Sequence, residues 1–324
     1  APQGWVVSAA AVGSLPGDWK SLDVVLVMVS GGVNPLVHHY THHDVTVPPI
    51  VACVNTGPDR AREAYVASWN AGHTIIHNNL ASYENRIAKA KSAGRQDFCI
   101  PNGVDLEVFK SGSQNSLRPK RIVWVGSEIH RELKRYDLIE SCREEIEAES
   151  WMLDTLLVDS REKRAIWKHT DEGRRTHTTA GIEPSFTQAD MVNWYNNAAV
   201  FVCCSQSEGT PNPALEAMAC GCVVATTEVG NMPELIIPGR NGVFIREPTV
   251  ARIMATVRYA MKNRDRLSAA GLETIAAWGW EGRAQAYFEV FEYARRRRTG
   301  QAPPATGLPG SFQLDYRRTQ TDEG

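Results

Sequence analysis

The segment Ser207–Gly221 reads SEGTPNPALEAMACG and holds two glutamates, Glu208 and Glu216, on either side of a Gly-Thr-Pro-Asn-Pro loop. Asn212 is a good N-cap and Pro213 suits the first helical position, so a helix is predicted to begin there. Glycine lets the loop backbone approach a ligand closely, and proline stiffens the loop. The pattern indicates a strand, a rigid turn and a helix, and ligands of open α/β sheets bind at such strand ends.

The start of this helix is a candidate site for an anion. The backbone N–H groups of Ala214 and Leu215 would lie free at its positive end, which favours a phosphate or diphosphate. Glu216 fits there if it turns aside and accepts hydrogen bonds from neutral hydroxyls, such as those of a ribose, and Glu208 could meet a second set of hydroxyls. This is the outline of a nucleotide-sugar; alternatively, both glutamates only favour the helix N-terminus.

Alternating strand and helix patterns on both sides of the segment predict an α/β protein built from βαβ units. The predicted strands are Asp23–Val29, Ile50–Val54, His73–His77, Asp97–Asp105, Arg121–Gly126, Leu153–Val158, Ala199–Ser205 and Cys222–Thr227. The predicted helices are Leu80–Lys91, Tyr136–Ile146, Gln188–Asn197, one from Pro213, Val250–Lys262, Arg264–Ala276 and one from Trp280 to about Arg297. A polar linker at Ser111–Lys120 would join two parallel sheets, with a cleft between them.

The composition fits a globular protein of two domains. The 324 residues are 43% hydrophobic and 22% charged, and a formal net charge of -2 gives no electrostatic case for a nucleic-acid partner. No apolar run is long enough to span a bilayer, and no signal-peptide pattern opens the chain. Seven cysteines without a framework spacing predict a reducing, cytoplasmic location. Buried thiols at Cys203-Cys204 and Cys220–Cys222 are favoured over a zinc site.

The string from Glu208 to Gly221 resembles the E-x7-E signature of retaining GT-B glycosyltransferases, most closely glycosyltransferase family 4, also called group 1. The following CVVATTEVGNMPELIIPGRNGVFI looks like that family's strand, glycine turn, Pro-Glu and G-x-N-G loop. IPNGVDLEVF, VWVGS, KRYDLI and WGWEGRAQAYFEVFEY also match, the last resembling a closing helix that crosses back to the first domain. The resemblance covers Ile100 to about Tyr293. It implies two Rossmann-like domains facing across a cleft. The N-terminal part of this sequence is short for the family, so the first domain is expected to be abridged, or the chain lacks its beginning.

The resemblance also implies domain bounds. Residues 1–112 would form the abridged acceptor-side domain and residues 113–278 the nucleotide-sugar donor domain. Residues 279–298 would be the closing helix and residues 299–324 a loose tail. The run Arg295–Arg298 would favour the dipole at the helix end, or alternatively make a peripheral contact with anionic lipid.

Site residues carry over from the family position by position. Glu216 would bind the donor ribose, Glu208 would contact hydroxyls of the donor sugar, and Lys134 would neutralise the diphosphate leaving group. The backbone of Gly209, Thr210, Pro211 and Asn212 would line the sugar pocket, and the N–H groups of Ala214 and Leu215 would meet the diphosphate.

The sequence departs from the family at several positions. Ser127 stands where the family has an arginine, and Arg131 or Arg135 would supply that charge from nearby. Arg135 also replaces the usual glycine after the lysine. In the first domain, Asn55 aligns with a histidine that faces the donor sugar, and Gly31-Gly32 would take part of the role of a glycine-rich loop.

Two further expectations concern metals and the nucleobase. The resemblance implies a metal-independent transfer without a cofactor beyond the nucleotide-sugar donor. His38 and His42 have a spacing that could hold a metal, although a polar loop is the favoured interpretation and a contact with the acceptor is a further alternative. The nucleobase pocket is expected near Gly181–Phe186, mostly through backbone atoms.

The implied reaction moves a sugar from a nucleotide-diphosphate-sugar donor to a hydroxyl of a glycan, lipid or small molecule, with retention. An alternative is a catalytically weak nucleotide-sugar or glycan-binding module of the same fold, which Ser127 and Asn55 favour. A phosphorylase or a sugar-nucleotide epimerase is a third interpretation. A phosphorylase would need a lysine for pyridoxal phosphate, and the sequence offers no clear candidate.

Overall fold

The computed structural model describes residues 6, 19–28, 36, 40–44, 46–54, 73–92, 96–112, 118–159, 164–171, 174–180 and 187–301. The chain divides into two compact units. The first unit comprises Ala1–Asn102 together with Glu281–Gly324, and the second comprises Gly103–Trp280.

The first unit contains a parallel sheet in the order β1-β2-β3-β4. Its strands are β1 (Val25–Val27), β2 (Ile50–Val54), β3 (Thr74–His77) and β4 (Phe98–Cys99), and helix α1 (Leu80–Ser92) follows β3. Strands β2 and β3 are buried throughout. Continuous apolar runs such as IVACV suit strands that are covered on both faces.

The second unit contains a sheet in the order β11-β10-β9-β5-β6-β7-β8. Its strands are β5 (Arg121–Ser127), β6 (Met152–Asp159), β7 (Arg164–Asp171), β8 (Arg174–Ala180), β9 (Val200–Cys203), β10 (Val223–Thr226) and β11 (Val243–Phe244). Pairing is parallel from β11 to β6 and antiparallel at β6-β7 and β7-β8. The parallel strands therefore present their carboxyl ends along one edge.

The remaining helices lie between and after these strands. They are α2 (Arg131–Lys134), α3 (Tyr136–Glu140), α4 (Arg143–Ala148), α5 (Gln188–Asn196), α6 (Asn212–Ala219), α7 (Met232–Leu235), α8 (Val250–Lys262), α9 (Arg264–Ile275) and α10 (Trp280–Arg298). Short 3-10 turns occupy Trp19–Ser21, Glu128–His130 and Ala276–Trp278. Among the described helices, none is long and apolar enough to cross a bilayer.

Each unit has its own apolar core. In the first unit, one face of α10 packs against the sheet through Ala286, Tyr287, Val290, Tyr293 and Ala294. These positions recur at the spacing of a helical stripe, which explains why this face is buried. In the second unit, strands β5, β9 and β10 contribute Ile122, Trp124, Val200, Val202, Val223 and Ala225 to the core, where they pack with α3, α4, α8 and α9.

The boundary between the two units lies earlier in the sequence than predicted. The prediction ended the first domain at residue 112, whereas residues 103–112 belong to the second unit. Hydrogen bonds hold this segment there: Val104 N–H donates to Trp278 O at 2.9 Å, and Gly112 N–H donates to Asn196 Oδ1 at 2.8 Å. The Asn196 amide in turn donates to Lys110 O at 3.1 Å.

One prediction of secondary structure was wrong, and one pair of strands was missed. The helix predicted over Tyr136–Ile146 is broken at Ser141 and Cys142, where Cys142 N–H donates to Ile139 O at 3.0 Å, three residues back instead of four. The antiparallel pair β7-β8 was not predicted at all, because its sequence has no continuous apolar run.

All seven cysteines are buried, and none of them forms a disulfide. Cys53 and Cys99 lie in the first unit and the other five in the second. Burial raises the pKa of the Cys142, Cys220 and Cys222 thiols to about 12. These side chains therefore serve as small apolar residues in the core.

Candidate functional site

Two neighbouring parallel strands bring the candidate residues together. Strands β5 and β9 pair directly, with Ile122 opposite Val200. The chain leaves the carboxyl end of β5 at Ser127 and reaches Lys134, and it leaves β9 at Cys203 and reaches Glu208. The two segments are joined, since Gln206 N–H donates to Leu133 O at 2.8 Å.

Lys134 and Glu208 form an ion pair at this edge of the sheet. The ammonium group of Lys134 donates to Glu208 Oε1. The side chains are 20% and 11% exposed, so the pair is only partly screened by solvent. Burial, followed by the nearby Glu208 carboxylate, raises the pKa of the adjacent Cys203 thiol. The sequence predicted both residues as site residues, and the structure places them in contact.

Glu216, on α6, has a neutral partner instead. The Tyr195 hydroxyl donates to Glu216 Oε2 at 3.2 Å, and Tyr195 is fully buried. Burial raises the pKa of the Glu216 carboxyl, and the hydrogen bond from Tyr195 lowers it in part. Burial, together with the nearby Glu216 carboxylate, raises the pKa of the Tyr195 phenol well above its usual value. Sequence reasoning missed Tyr195, although it predicted the helix that carries it.

A turn at Gly230 and Asn231 packs against the loop that follows Glu208 and holds it in place. Asn231 N–H donates to Gly209 O at 3.1 Å. Gly230 has a φ of +56°, and a Cβ atom there would lie 2.2 Å from Gly209 O and 3.2 Å from Glu208 Cβ. A residue without a side chain is therefore required at position 230 for both conformation and space. The Asn231 side chain is fully buried, and its amide has no hydrogen-bond partner among the described residues.

Helix α6 begins one residue earlier than predicted. Pro211 occupies the N-cap position and Asn212 is the first helical residue, so the prediction of Asn212 as the N-cap was wrong. The N–H of Ala214 donates to Pro211 O at 2.8 Å, and that of Asn212 donates to Thr210 O at 2.9 Å. Because Ala214 N–H is already engaged in this tight first turn, it is not the free donor that the sequence suggested.

The two arginines expected to replace the charge missing at Ser127 have other partners. Arg131 donates to the carboxylate of Asp137, lies 3.7 Å from Glu128 and stacks over the Tyr136 ring at 4.7 Å. Arg135 donates to Cys204 O at 3.1 Å. Its φ of 53° and ψ of 45° are left-handed, which explains why glycine suits this position. Both guanidinium groups are therefore already engaged in contacts within the protein.

Several candidate residues lie outside the described part of the chain. They are Gly31, Gly32, Asn55, His38, and the segment 181–186 expected near the nucleobase. His42 and His43 are described, with ring centroids 5.3 Å apart. Within the described ranges, no group of three His, Cys, Asp or Glu side chains could hold a metal ion.

A cavity of about 690 Å³ lies elsewhere in the second unit. Its lining includes Lys120 and Trp151, which directly precede β5 and β6, and Arg258 on α8. It therefore opens at the amino ends of the strands, at the opposite edge from Glu208. Arg258 is paired with Glu149 at 2.7 Å, and the charged groups are mostly exposed. This surface has the character of a solvated charged face.

Solved structures identify the fold. Sucrose-phosphate synthase from Thermosynechococcus elongatus superposes with a TM-score of 0.61 at 16% identity, over 84% of this chain and 73% of that one. Anabaena HepE in complex with UDP and glucose superposes with a TM-score of 0.60 at 13% identity, over 85% and 78%. The fold is therefore GT-B, α/β with Rossmann-like units built on parallel sheets, as predicted.

A family model described as glycosyl transferases group 1 matches residues 119–263. Residues 119–263, which include Lys134, Glu208 and Glu216, therefore resemble a group 1 glycosyltransferase domain. The resemblance predicted from the sequence is confirmed at this level.

Two named relatives support the same domain. D-inositol 3-phosphate glycosyltransferase 1 of Catenulispora acidiphila is 24% identical over 246 residues, which are 69% of this chain and 58% of that protein. D-inositol 3-phosphate glycosyltransferase of Streptosporangium roseum is 32% identical over 113 residues, which are 34% and 26% of the two chains. The chain therefore spans less than two thirds of the length of these curated relatives.

Proposed function

We propose that the protein is a retaining glycosyltransferase that moves a sugar from a nucleoside-diphosphate-sugar to an acceptor hydroxyl. The observation that carries this proposal is the placement of Lys134, Glu208 and Glu216 around one loop of the group 1 domain. A cation for the diphosphate and two carboxylates for hydroxyls match the parts of such a donor. HepE, a structural neighbour, was solved with UDP-glucose.

The ion pair suggests how the site would work. Without donor, the charge of Lys134 is offset by Glu208. A bound diphosphate would give the ammonium group a second anion, and Glu208 could then accept hydrogen bonds from sugar hydroxyls. As the glycosidic bond breaks, negative charge grows on the diphosphate, and a cation fixed beside it lowers the barrier. We propose that Lys134 provides this charge and that the transfer needs no metal ion or cofactor.

The acceptor would be a glycan, a lipid or a small molecule with a free hydroxyl. A peripheral contact with anionic lipid at Arg295–Arg298 is a separate part of the proposal. Glu292 binds Arg295 at 2.8 Å and Arg296 at 2.6 Å. The exposed Arg297 and Arg298 would therefore supply most of the attraction. Flotation with vesicles containing phosphatidylglycerol, compared with neutral vesicles, tests this contact.

A binding module without efficient turnover is the second candidate. It is favoured by Ser127 in the position of the family's arginine and by the engagement of Arg131 with Asp137. Both would leave less positive charge for the leaving group. Release of nucleoside diphosphate from the bound donor, measured over time, separates this candidate from an active transferase.

The test of the proposed function is a thermal-shift screen with UDP, GDP, ADP, dTDP and their common sugar conjugates. A ligand that binds the folded state raises its melting temperature. Glu216→Ala should lower the affinity for the active nucleotide by ~1–3 kcal/mol, because a charged hydrogen-bond acceptor is lost. Glu228→Ala is the matched control, since Glu228 is an exposed glutamate of the same unit.

One nucleotide that stabilises the wild type and loses affinity only in Glu216→Ala supports the donor site. Assays with radiolabelled donor then identify the sugar and the stereochemistry of the product. A wild type that no nucleotide stabilises, or an intact Glu216→Ala variant with unchanged affinity, overturns the proposed site.

A further inference from the structure

We propose that Tyr195 is a positioning residue that orients Glu216 toward the nucleotide ribose and so sets the preference for donors that carry ribose hydroxyls. This inference rests on the proposed function, because it concerns the donor site around Glu216. It assigns a role to a side chain outside the E-x7-E segment.

The Tyr195 hydroxyl has a fixed position. It lies 3.2 Å from Glu216 Oε2, and the whole residue is 0% exposed. Its ring lies among three aromatic rings, with centroids 5.5 Å from Trp194, 6.1 Å from Phe201 and 6.4 Å from Phe109. The ring therefore has little room to turn, and the direction of its O–H group is set by packing.

The backbone of Tyr195 is anchored as well. Its carbonyl accepts hydrogen bonds from Arg118 at 3.1 Å and from the Cys222 thiol at 3.2 Å. The helix that carries it starts with a capping box formed by Thr187 and Asp190. Helix α5 thus presents the Tyr195 hydroxyl to Glu216 on α6 from a rigid support.

The hydrogen bond engages one carboxylate oxygen of Glu216 and leaves the other available for a ligand. Within the described part of the chain, Tyr195 is the hydrogen-bond partner of this carboxylate, and it uses Oε2. An ionised carboxylate only accepts hydrogen bonds, so Oε1 is left to accept from hydroxyl donors. The 2′ and 3′ hydroxyls of a ribose are such donors, and a nucleotide that lacks them cannot use Oε1.

The same contact favours the ionised form of Glu216. Burial raises the pKa of the Glu216 carboxyl, whereas the Tyr195 hydroxyl lowers it. Among the described titratable groups, Cys220 at the end of α6 also interacts with Glu216, and its thiol has a pKa of about 12. The charged Arg118 guanidinium is held nearby by the carbonyl groups of Tyr195 and Cys220. From α9, which packs against α6, the uncharged Ser268 donates to Gly221 O and Gly271 lies beside Met218. Loss of the phenol should therefore raise the pKa of Glu216 further.

The experiment compares UDP with 2′,3′-dideoxy-UDP by calorimetry in the wild type, Tyr195→Phe and Glu216→Ala. If the nucleotide screen favours another base, the corresponding pair of that base is used. The wild type should bind the ribose form about 10-fold more tightly, as a charge-assisted hydrogen bond predicts. Tyr195→Phe should lose most of this preference through weaker binding of UDP, with little change for the dideoxy form. Glu216→Ala should show no preference.

Two readouts separate positioning from a purely structural role. First, the pH at which UDP binding is half lost on acidification should move upward in Tyr195→Phe, because Glu216 takes up its proton more readily. Second, Tyr259→Phe, which changes an exposed tyrosine of the same unit, should leave both nucleotides unaffected. The inference is overturned if Tyr195→Phe keeps the wild-type preference for UDP. It is also overturned if the variant weakens the binding of both nucleotides equally and does not shift the pH at which UDP binding is half lost.

Failure of this inference is distinguishable from failure of the proposed function. A wild type that discriminates between the two nucleotides, beside an unaltered Tyr195→Phe variant, removes only the role of Tyr195. A wild type that binds neither nucleotide, nor any from the screen, removes the donor site and the role of Tyr195 with it.

Discussion

The two carboxylates of the E-x7-E segment sit in contrasting surroundings. Glu208, at the strand end, is paired with the ammonium group of Lys134, and both groups keep some contact with solvent. Glu216, at the start of the second turn of α6, is held by the uncharged hydroxyl of fully buried Tyr195. The first carboxylate has a partner that can be shared with an incoming anion. The second has a partner that fixes its direction.

Under the proposed function, this difference would make the Glu208 end of the loop suited to the chemical step and the Glu216 end suited to recognition of the ligand. A charged pair can redistribute its interactions as negative charge moves during transfer. A carboxylate locked by a buried phenol is suited to reading the shape of a ligand that does not react. Variants at the two ends should therefore affect different steps.

The largest effect is expected for Glu208→Ala. Transfer should slow by ~100-fold or more, in the range seen when one preorganised contact to a transition state is removed. Binding of the nucleoside diphosphate alone should change little, because Lys134 is still present. Single-turnover transfer and calorimetry with the bare nucleotide give the two numbers. Equal losses in both would erase the distinction between the two ends.

Lys134→Ala should weaken binding of the nucleoside diphosphate by ~1.5–3 kcal/mol, since a hydrogen bond between charged groups is lost. Affinity for the uncharged nucleoside should not change. Lys120→Ala is the matched control, because Lys120 is an exposed lysine of the same unit before β5. If Lys120→Ala produced the same loss as Lys134→Ala, the diphosphate would be attracted by general charge and not by the ion pair.

Gly230→Ala should destabilise the fold by ~2 kcal/mol and lower transfer activity. A left-handed residue with a Cβ costs ~1–2 kcal/mol, and the new atom would also collide with Gly209 O. Gly239→Ala isolates the first cost, since Gly239 has a φ of +78° but its Cβ would meet only Tyr259 Oη at 3.5 Å. Chemical denaturation of the two variants measures the difference. Equal stability losses with full activity would show that the Glu208 loop does not depend on this turn.

Glu216→Gln should give the smallest effect, with opposite signs for stability and binding. Affinity for the donor nucleotide should fall by ~1 kcal/mol, because a neutral acceptor replaces a charged one. The unliganded protein should become more stable at neutral pH, since a charged carboxylate is then no longer held in a partly buried place.

The difference in stability between the wild type and Glu216→Gln should depend on pH, because the pKa of Glu216 is raised in the folded state. The folded state holds the proton more tightly than the unfolded state, so the stability from the protonated group is present at low pH. That stability is lost as the pH rises through the folded-state pKa. Thermal unfolding of the wild type and Glu216→Gln should therefore converge at acid pH and separate at neutral pH. Parallel curves would mean that Glu216 is not held in a desolvating environment.

Local pattern was enough to predict much of the fold. The continuous apolar runs at Ile50–Val54 and Ala199–Ser205 identified buried parallel strands, and the helices Val250–Lys262 and Arg264–Ala276 were placed nearly to the residue. The hairpin β7-β8 was missed because antiparallel strands of polar residues carry no such run. The break at Ser141 was missed because a tighter turn, with Cys142 N–H bonded to Ile139 O, leaves no mark on the apolar pattern of the sequence.

The candidate site was predictable from its motif, whereas its contacts were not. The motif singled out Lys134, Glu208 and Glu216, but the ion pair joins residues 74 positions apart. Nothing local in the helix Gln188–Asn196 indicates that the Tyr195 hydroxyl meets Glu216, because that contact depends on how two helices pack. The donor and acceptor roles of these residues stay predictions until nucleotides are tested.

The buried thiols have a consequence for measuring motion. A thiol inside the folded chain and with a raised pKa does not react with alkylating reagents until the structure around it opens. Cys53 and Cys99 would report opening of the first unit, and Cys142, Cys203, Cys204, Cys220 and Cys222 opening of the second. The rate at which each set becomes labelled then gives the free energy of opening of each unit separately, without any engineered probe. Cys220 and Cys222 flank the carboxyl end of α6, so nucleotide bound at its other end should slow their labelling more than that of Cys53.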